Sequence, residues 1–242
     1  VWPGETNLAA AEFANLVEVR LAKEGHDGEV GINLLTKVQL PNLALLYGAM
    51  LAGVDVVLMG AGIPREIPRA LDQLAEGRPA AIRLDVEGDR SGVSEQVTLD
   101  PREVAGEEAP PVRRPRFLPI VSSSSLAALL VKKSQGGVSG LVIEGSTAGG
   151  HNAPPRGAER RNPRGEPLYG ERDEVDLAPL RDLGVPFWLA GGAGTPSGFD
   201  AACAGGAAGI QVGTLFALCR ESGLAPDLRR RILAADIFVM GT

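Results

Sequence analysis

The sequence predicts an α/β chain built as a (β/α)8 TIM barrel whose first strand lies before residue 1. Three observations carry this expectation. Short apolar runs rich in branched side chains recur along the chain, segments of helical spacing fall between them, and glycine or polar residues close most of the runs. The 242 residues are 44% hydrophobic and 22% charged, which suits one globular domain and excludes disorder.

The predicted strands are 30–35, 54–60, 80–86, 117–122, 140–144, 186–190 and 209–215. Each is a nearly continuous apolar run, as expected of parallel strands covered on both faces. Helices are predicted at 7–23, 41–52, 64–75, 126–133, 177–183 and 199–204. Seven strands are counted and the leading helix needs one before it, so the first strand of the barrel is placed ahead of Val1. An internal echo supports repeated βα units. Residues 52–60, 136–145 and 205–213 share one plan, in which glycine ends a helix, an apolar strand follows, and glycine closes it.

The whole of 1–242 reads as a single domain, interrupted by a surface hairpin or small insertion at 87–115, with a strand-like patch at 93–99, and by a lid-like loop at 152–176. The loop carries Arg156, Arg160, Arg161, Arg164 and Arg172 directly after a strand's C-terminal end, where barrel enzymes keep mobile loops. A plainly solvated charged loop is the alternative there. Thirty acidic against 24 basic residues leave a net charge of -6, which argues against a nucleic-acid surface. The apolar stretch 43–63 is broken by Gly48, Gly53, Asp55, Gly60 and Gly62, so it reads as a helix, a turn and a strand rather than a membrane span. Cys203 and Cys219 fall in no metal-ligand spacing and read as core thiols in a reducing compartment. The cytoplasm is therefore the expected location. No metal site is expected.

Candidate chemistry gathers after the later strands. Residues 189–197 are rich in glycine and follow one strand, and Gln211-Val-Gly-Thr214 ends the next. In a barrel these are the seventh and eighth strands, whose loops offer bare N–H groups to a phosphate. Only two histidines occur. His26 precedes a strand and reads as a turn residue, whereas His151 follows one and stands where a catalytic base belongs. A plain loop histidine is the alternative. Among Ser122, Ser123, Ser124 and Ser125, at least one is expected to cap the helix that follows. Arg83 and Asp85 share one face of a strand by the two-residue period, which predicts a buried ion pair inside the barrel.

Taken together, Gly31-Ile-Asn-Leu-Leu35, Gly145-Ser-Thr-Ala-Gly-Gly-His151, Ala190-Gly-Gly192 and Gly209-Ile-Gln-Val-Gly-Thr-Leu-Phe216 resemble the nitronate monooxygenase family, FMN-dependent barrels formerly called 2-nitropropane dioxygenases. The resemblance covers most of the chain. It departs at Thr147, where the family often has glutamate, and in the Asn-Ala-Pro-Pro-Arg156 run after the histidine. The family's first strand and its glycine-rich turn are expected ahead of this sequence.

The resemblance implies that the FMN phosphate meets Gly149, Gly150, Gly191, Gly192, Gly213 and the Thr214 hydroxyl, with Asn33 near the isoalloxazine ring. It also implies that His151 faces the flavin and handles the α-proton of a nitroalkane or positions its nitronate, with molecular oxygen as the oxidant. The expected partners are a small-molecule substrate and molecular oxygen, with neither nucleic acid nor membrane, and a homodimer is the assembly allowed for. Two rival readings stand beside this one: an FMN-dependent enoyl-acyl-carrier-protein reductase using NAD(P)H, and a flavin-binding protein without turnover.

Overall fold

The computed structural model describes residues 5–86, 95–106, 109–149, 152–157 and 160–234. The chain divides into two compact units, Val1–Pro119 with Leu129–Ser139, and Ile120–Ala128 with Gly140–Thr242.

The first unit opens with α1 (Glu5–Ala22), β1 (Gly31–Leu35), α2 (Asn42–Leu51), β2 (Val56–Gly60) and α3 (Ile67–Ala75). Strands β1 and β2 pair in parallel from Gly31 opposite Val56 to Leu35 opposite Gly60. A hairpin follows, β3 (Ala80–Arg83) antiparallel to β4 (Gln96–Leu99), and then the short α4 (Pro101–Ala105). Helix α4 starts where it does because the Asp100 side chain accepts the N–H of Arg102 and Pro101 presets the first helical φ. Residues 116–119 of β5 (Arg116–Val121) then pair in parallel with Val56–Met59.

The core of this unit is α2 and the elements around it. Leu43, Leu46, Tyr47, Ala49 and Met50 are buried together with Val57, Met59, Leu71, Leu74 and Phe117. Helix α2 is apolar nearly all round because it is covered on nearly all sides. Its close approach to α1 depends on Gly48, where a Cβ would overlap the carbonyl oxygen of Glu12. Glu12 itself is 6% exposed, and burial pushes its carboxyl up to about 7. Burial, and secondarily the charge of Glu12, raises the Tyr47 phenol, whose hydroxyl makes no hydrogen bond among the described residues. Asp55 ties three segments together. Its carboxylate accepts from Lys23 after α1 and from the Val30 N–H at 2.9 Å ahead of β1, and it pairs with Arg113 ahead of β5. These donors, Lys23 foremost, hold the Asp55 carboxyl well below the usual range.

The second unit takes up residues 120–121 of β5, followed by α5 (Ser124–Lys133), β6 (Leu141–Glu144), α6 (Ala178–Arg181), β7 (Phe187–Ala190), α7 (Pro196–Ala204), β8 (Gly209–Gln211), α8 (Thr214–Ala217) and α9 (Pro226–Ala234). Helix α5 itself runs on into residues of the first unit. The named strands of this unit pair in parallel: Val121 lies opposite Ile143, Glu144 opposite Ala190, and Ala190 opposite Gln211. Leu141, Val142, Ile143 and Phe187 are buried, as parallel strands require. Because β6, β7 and β8 run the same way as adjacent neighbours, the loops leaving their C-terminal ends are brought side by side.

The structure corrects four expectations. The run at 80–86 joins no parallel strand: it forms β3, paired antiparallel with β4, since the chain returns on itself through the segment expected as an insertion. Arg83 and Asp85 do pair, at 2.8 Å, but on the surface, with side chains 64% and 71% exposed. The last strand stops at Gln211 rather than 215, because the helical turn of α8 begins at Thr214. Cys203 is exposed and Cys219 half-buried, so neither is a core thiol. No helix among the described residues is long and apolar enough to cross a membrane.

Candidate functional site

The loops after β6, β7 and β8 meet, and glycine is what lets them. A Cβ on Gly191 would lie 2.6 Å from the Ala148 backbone nitrogen, and one on Gly192 would lie 3.0 Å from Thr147 Oγ1. Both residues have positive φ, +96° and +68°, where a side chain is strained as well as crowded. A Cβ on Gly149 would lie 3.0 Å from Thr214 Oγ1. The loop after β6 thus touches both of the others at one end of the second unit, with Thr147 and Ala148 against Gly191 and Gly192 and Gly149 against Thr214.

The electrostatics of this end suit an anion. Among the described residues, the N–H groups of Gly191, Gly192, Ala193 and Gly194 make no hydrogen bond, and neither do those of Gly213 and Thr214. Such bare donors, with the Thr147 and Thr214 hydroxyls beside them, fit a phosphate. The Gln211 side-chain oxygen is buried without a partner at the end of β8. Thr195 caps α7, its hydroxyl accepting from the Gly198 N–H at 3.0 Å. This fixes the loop that carries Gly191 and Gly192 from its far end.

The loop after β6 is held from within. Gly145 donates its N–H to Ala190 O at 3.0 Å, and the Ala148 N–H closes a turn on Gly145 O. The Asn152 amide then reaches back to Gly145 O at 3.3 Å and Ser146 O at 3.2 Å, while its own oxygen accepts from the Ala153 N–H. Downstream, Arg156 donates its backbone N–H to Asp173 Oδ1 at 2.7 Å, and its guanidinium contacts the carbonyls of Arg172 and Ser122. The N–H groups of Arg156 and Gly170 hold the Asp173 carboxyl below its ordinary range. Tyr169 donates to Ala153 O at 3.0 Å, and burial, then the charges of Asp173 and Glu144, raises its phenol. The segment expected as a lid is therefore tied down at several described positions.

Of the residues singled out from sequence, Gly149, Gly191, Gly192 and Thr214 come together, and Gly213 stands next to them as the N-cap of α8. Asn33 belongs to the first unit, exposed on β1 opposite Leu58. Gly150 and His151 lie outside the described residues. Ser123 is the helix cap expected in the serine run, its hydroxyl accepting from the Leu126 N–H at 3.1 Å. His26 closes a turn after α1, contacting Ala22 O and accepting from the Gly28 N–H. Sequence reading passed over Asn152 and Tyr169. For Asn152 the only signal was its place beside His151, and Tyr169 offered none.

Comparison with known proteins adds a family. The family described as nitronate monooxygenase matches residues 112–239, more than half of the chain, and the match contains every loop of the glycine bed. The chain belongs to the nitronate monooxygenase family. A probable nitronate monooxygenase of Bacillus subtilis (strain 168) is 32% identical over 117 residues, which are 48% of this chain and 32% of that protein. The chain thus spans about a third of the length of this curated member of the nitronate monooxygenase family. Among solved structures, the M276A mutant of FabK from Thermotoga maritima superposes with a TM-score of 0.56 at 22% identity, covering 98% of this chain and 66% of that one. That likeness is one of fold.

Proposed function

We propose that the protein is an FMN-dependent oxidoreductase that oxidises alkyl nitronates or nitroalkanes with molecular oxygen, on a (β/α)8 barrel. One observation carries the reading: Gly149, Gly191, Gly192 and Thr214, on the loops after three consecutive parallel strands, meet around bare N–H groups in a chain of this family. The glycines let the loops close on one another, and the unpaired N–H groups they leave there are what a buried phosphate monoester must be met by. When bound, FMN supplies the redox chemistry and passes electrons to oxygen.

The chain's own residues bind, orient and move a proton. The N–H groups of Gly191, Gly192 and Gly213, together with Gly149, Gly150 and the Thr214 hydroxyl, hold the phosphate, and Asn33 offers its amide to the ring. His151 takes the α-proton from the nitroalkane carbon or holds the nitro oxygens of the nitronate. Asn152 keeps the turn before His151 in shape through its bonds to Gly145 and Ser146. Oxygen uptake on addition of a nitronate, without any nicotinamide, is the expected result for the flavin-loaded protein. Rapid bleaching of the flavin by NADPH with no uptake driven by nitronate would overturn the proposal in favour of a reductase.

A further inference from the structure

The first unit contains a cleft of about 700 Å³ that the proposed flavin chemistry does not use. It opens beyond the C-terminal ends of β1 and β2, and its wall includes Thr36, Lys37, Asn42, Arg65, Glu66 and Lys133. Its volume lies within the roughly 300–1,000 Å³ of small-molecule sites.

Two kinds of unmet demand face it. The first is charge. Arg83, also in the wall, is neutralised by Asp85, but Lys37, Arg65 and Lys133 have no carboxylate partner among the described residues. Glu66, in the same wall, accepts the Arg83 N–H with Oε2 at 2.7 Å, so the wall sets four cations against the two carboxylates of Glu66 and Asp85. A positive wall in a chain of net charge -6 is a local reversal of sign. Helices α2 and α3 also begin in this wall, and neither has a side-chain cap. The Asn42 N–H at the start of α2 is already given to Gln39 O, and Pro68 in the first turn of α3 has none to give, so the side-chain cations carry this demand.

The second demand is for hydrogen-bond donors. Asn42 is 2% exposed. Its amide nitrogen donates to Leu35 O at 3.3 Å and Thr36 O at 3.5 Å, which leaves Oδ1 buried without a partner. Thr36 Oγ1 is likewise buried and unpartnered. A buried acceptor left unpaired costs about 1–3 kcal/mol, so two of them in one wall ask for a ligand that donates. Next in the chain to Gly62 of the wall, Ala61 holds a φ of +50°, the one positive value at a non-glycine residue among the described residues. Strain of that kind collects at binding sites.

We propose that this cleft is a second ligand site, which takes a small phosphate monoester of a polyhydroxy compound. The phosphate lies against Lys37 and Arg65, and the hydroxyl groups donate to Asn42 Oδ1 and Thr36 Oγ1. None of these residues belongs to the glycine bed, so the proposal stands apart from the flavin reading.

The test is calorimetric titration of the full chain with ribose 5-phosphate, in the presence of saturating FMN. Saturable binding is expected, with inorganic phosphate at least about tenfold weaker because it leaves the orphan acceptors unmet. Lys37→Ala and Arg65→Ala, both at exposed positions, each weaken ribose 5-phosphate about tenfold with an unchanged melting curve. Thr36→Val weakens the sugar phosphate but leaves inorganic phosphate as it was. The proposal is overturned if no saturation is reached in the millimolar range, if the Lys37 and Arg65 variants bind as the parent does, or if FMN competes with the sugar phosphate for the same site.

Discussion

The two units use glycine for opposite ends. In the first, Gly48 lies inside a helix where α1 crosses α2, and the missing Cβ is replaced by the backbone of Glu12. In the second, Gly149, Gly191 and Gly192 lie in loops just past strand ends, and the missing Cβ atoms bring three loops and their N–H groups together. A glycine inside an apolar helix marks packing, whereas glycines after consecutive parallel strands mark the approach of a ligand. Substitutions at the two places should therefore fail in different assays.

The largest effect is expected at the proposed base. His151→Ala should lower nitronate turnover by roughly 10²–10⁴-fold while leaving flavin binding and melting unchanged, as measured by oxygen uptake and thermal scans. Next comes the bed itself. Gly191→Val adds a branched side chain at φ +96°, against Ala148 N, and should raise the dissociation constant of FMN by roughly 10–100-fold in a fluorescence titration. In the first unit, Gly48→Ala should cost about 1–3 kcal/mol of stability in urea, yet leave FMN affinity unchanged in the folded protein. A loss of flavin at Gly48→Ala with no loss of stability would erase the contrast between the units.

The smallest effect is a pH dependence in the first unit. Burial raises the Glu12 carboxyl from 4.5 to about 7, so the folded state favours its protonated form. That contribution is fully present below about pH 4.5 and is lost as pH rises through about 7. Glu12→Gln should melt with the parent in acid and pull ahead as pH rises, by roughly 3–6 °C at pH 8. Equal melting temperatures at pH 8 would show that Glu12 is not a buried carboxylate at all.

Much of this was legible because parallel strands are continuous apolar runs, which stand out without knowledge of their partners. The run at 30–35 became Gly31–Leu35, and the run at 186–190 became Phe187–Ala190. The strand-like patch at 93–99 was visible and became Gln96–Leu99, but the run at 80–86 looked parallel from within, and no local period reports that its partner is that patch. At 209–215 the apolar Val212 and Leu215 masked the start of a helix at Thr214. The glycine bed was readable because its requirement is a backbone one, written in the residue type. The supports of Asn152, Arg156 and Tyr169 were not, since each is defined by an acceptor that only the folded chain brings near.

The central claim is that the loops after β6, β7 and β8 hold a phosphate, and comparison of FMN with riboflavin tests it most directly, since the two differ by that group alone. Titrated into the wild-type chain, FMN should bind at least about 100-fold more tightly than riboflavin, and Thr214→Ala should narrow the gap by about tenfold. Equal affinity for the two compounds would contradict the account.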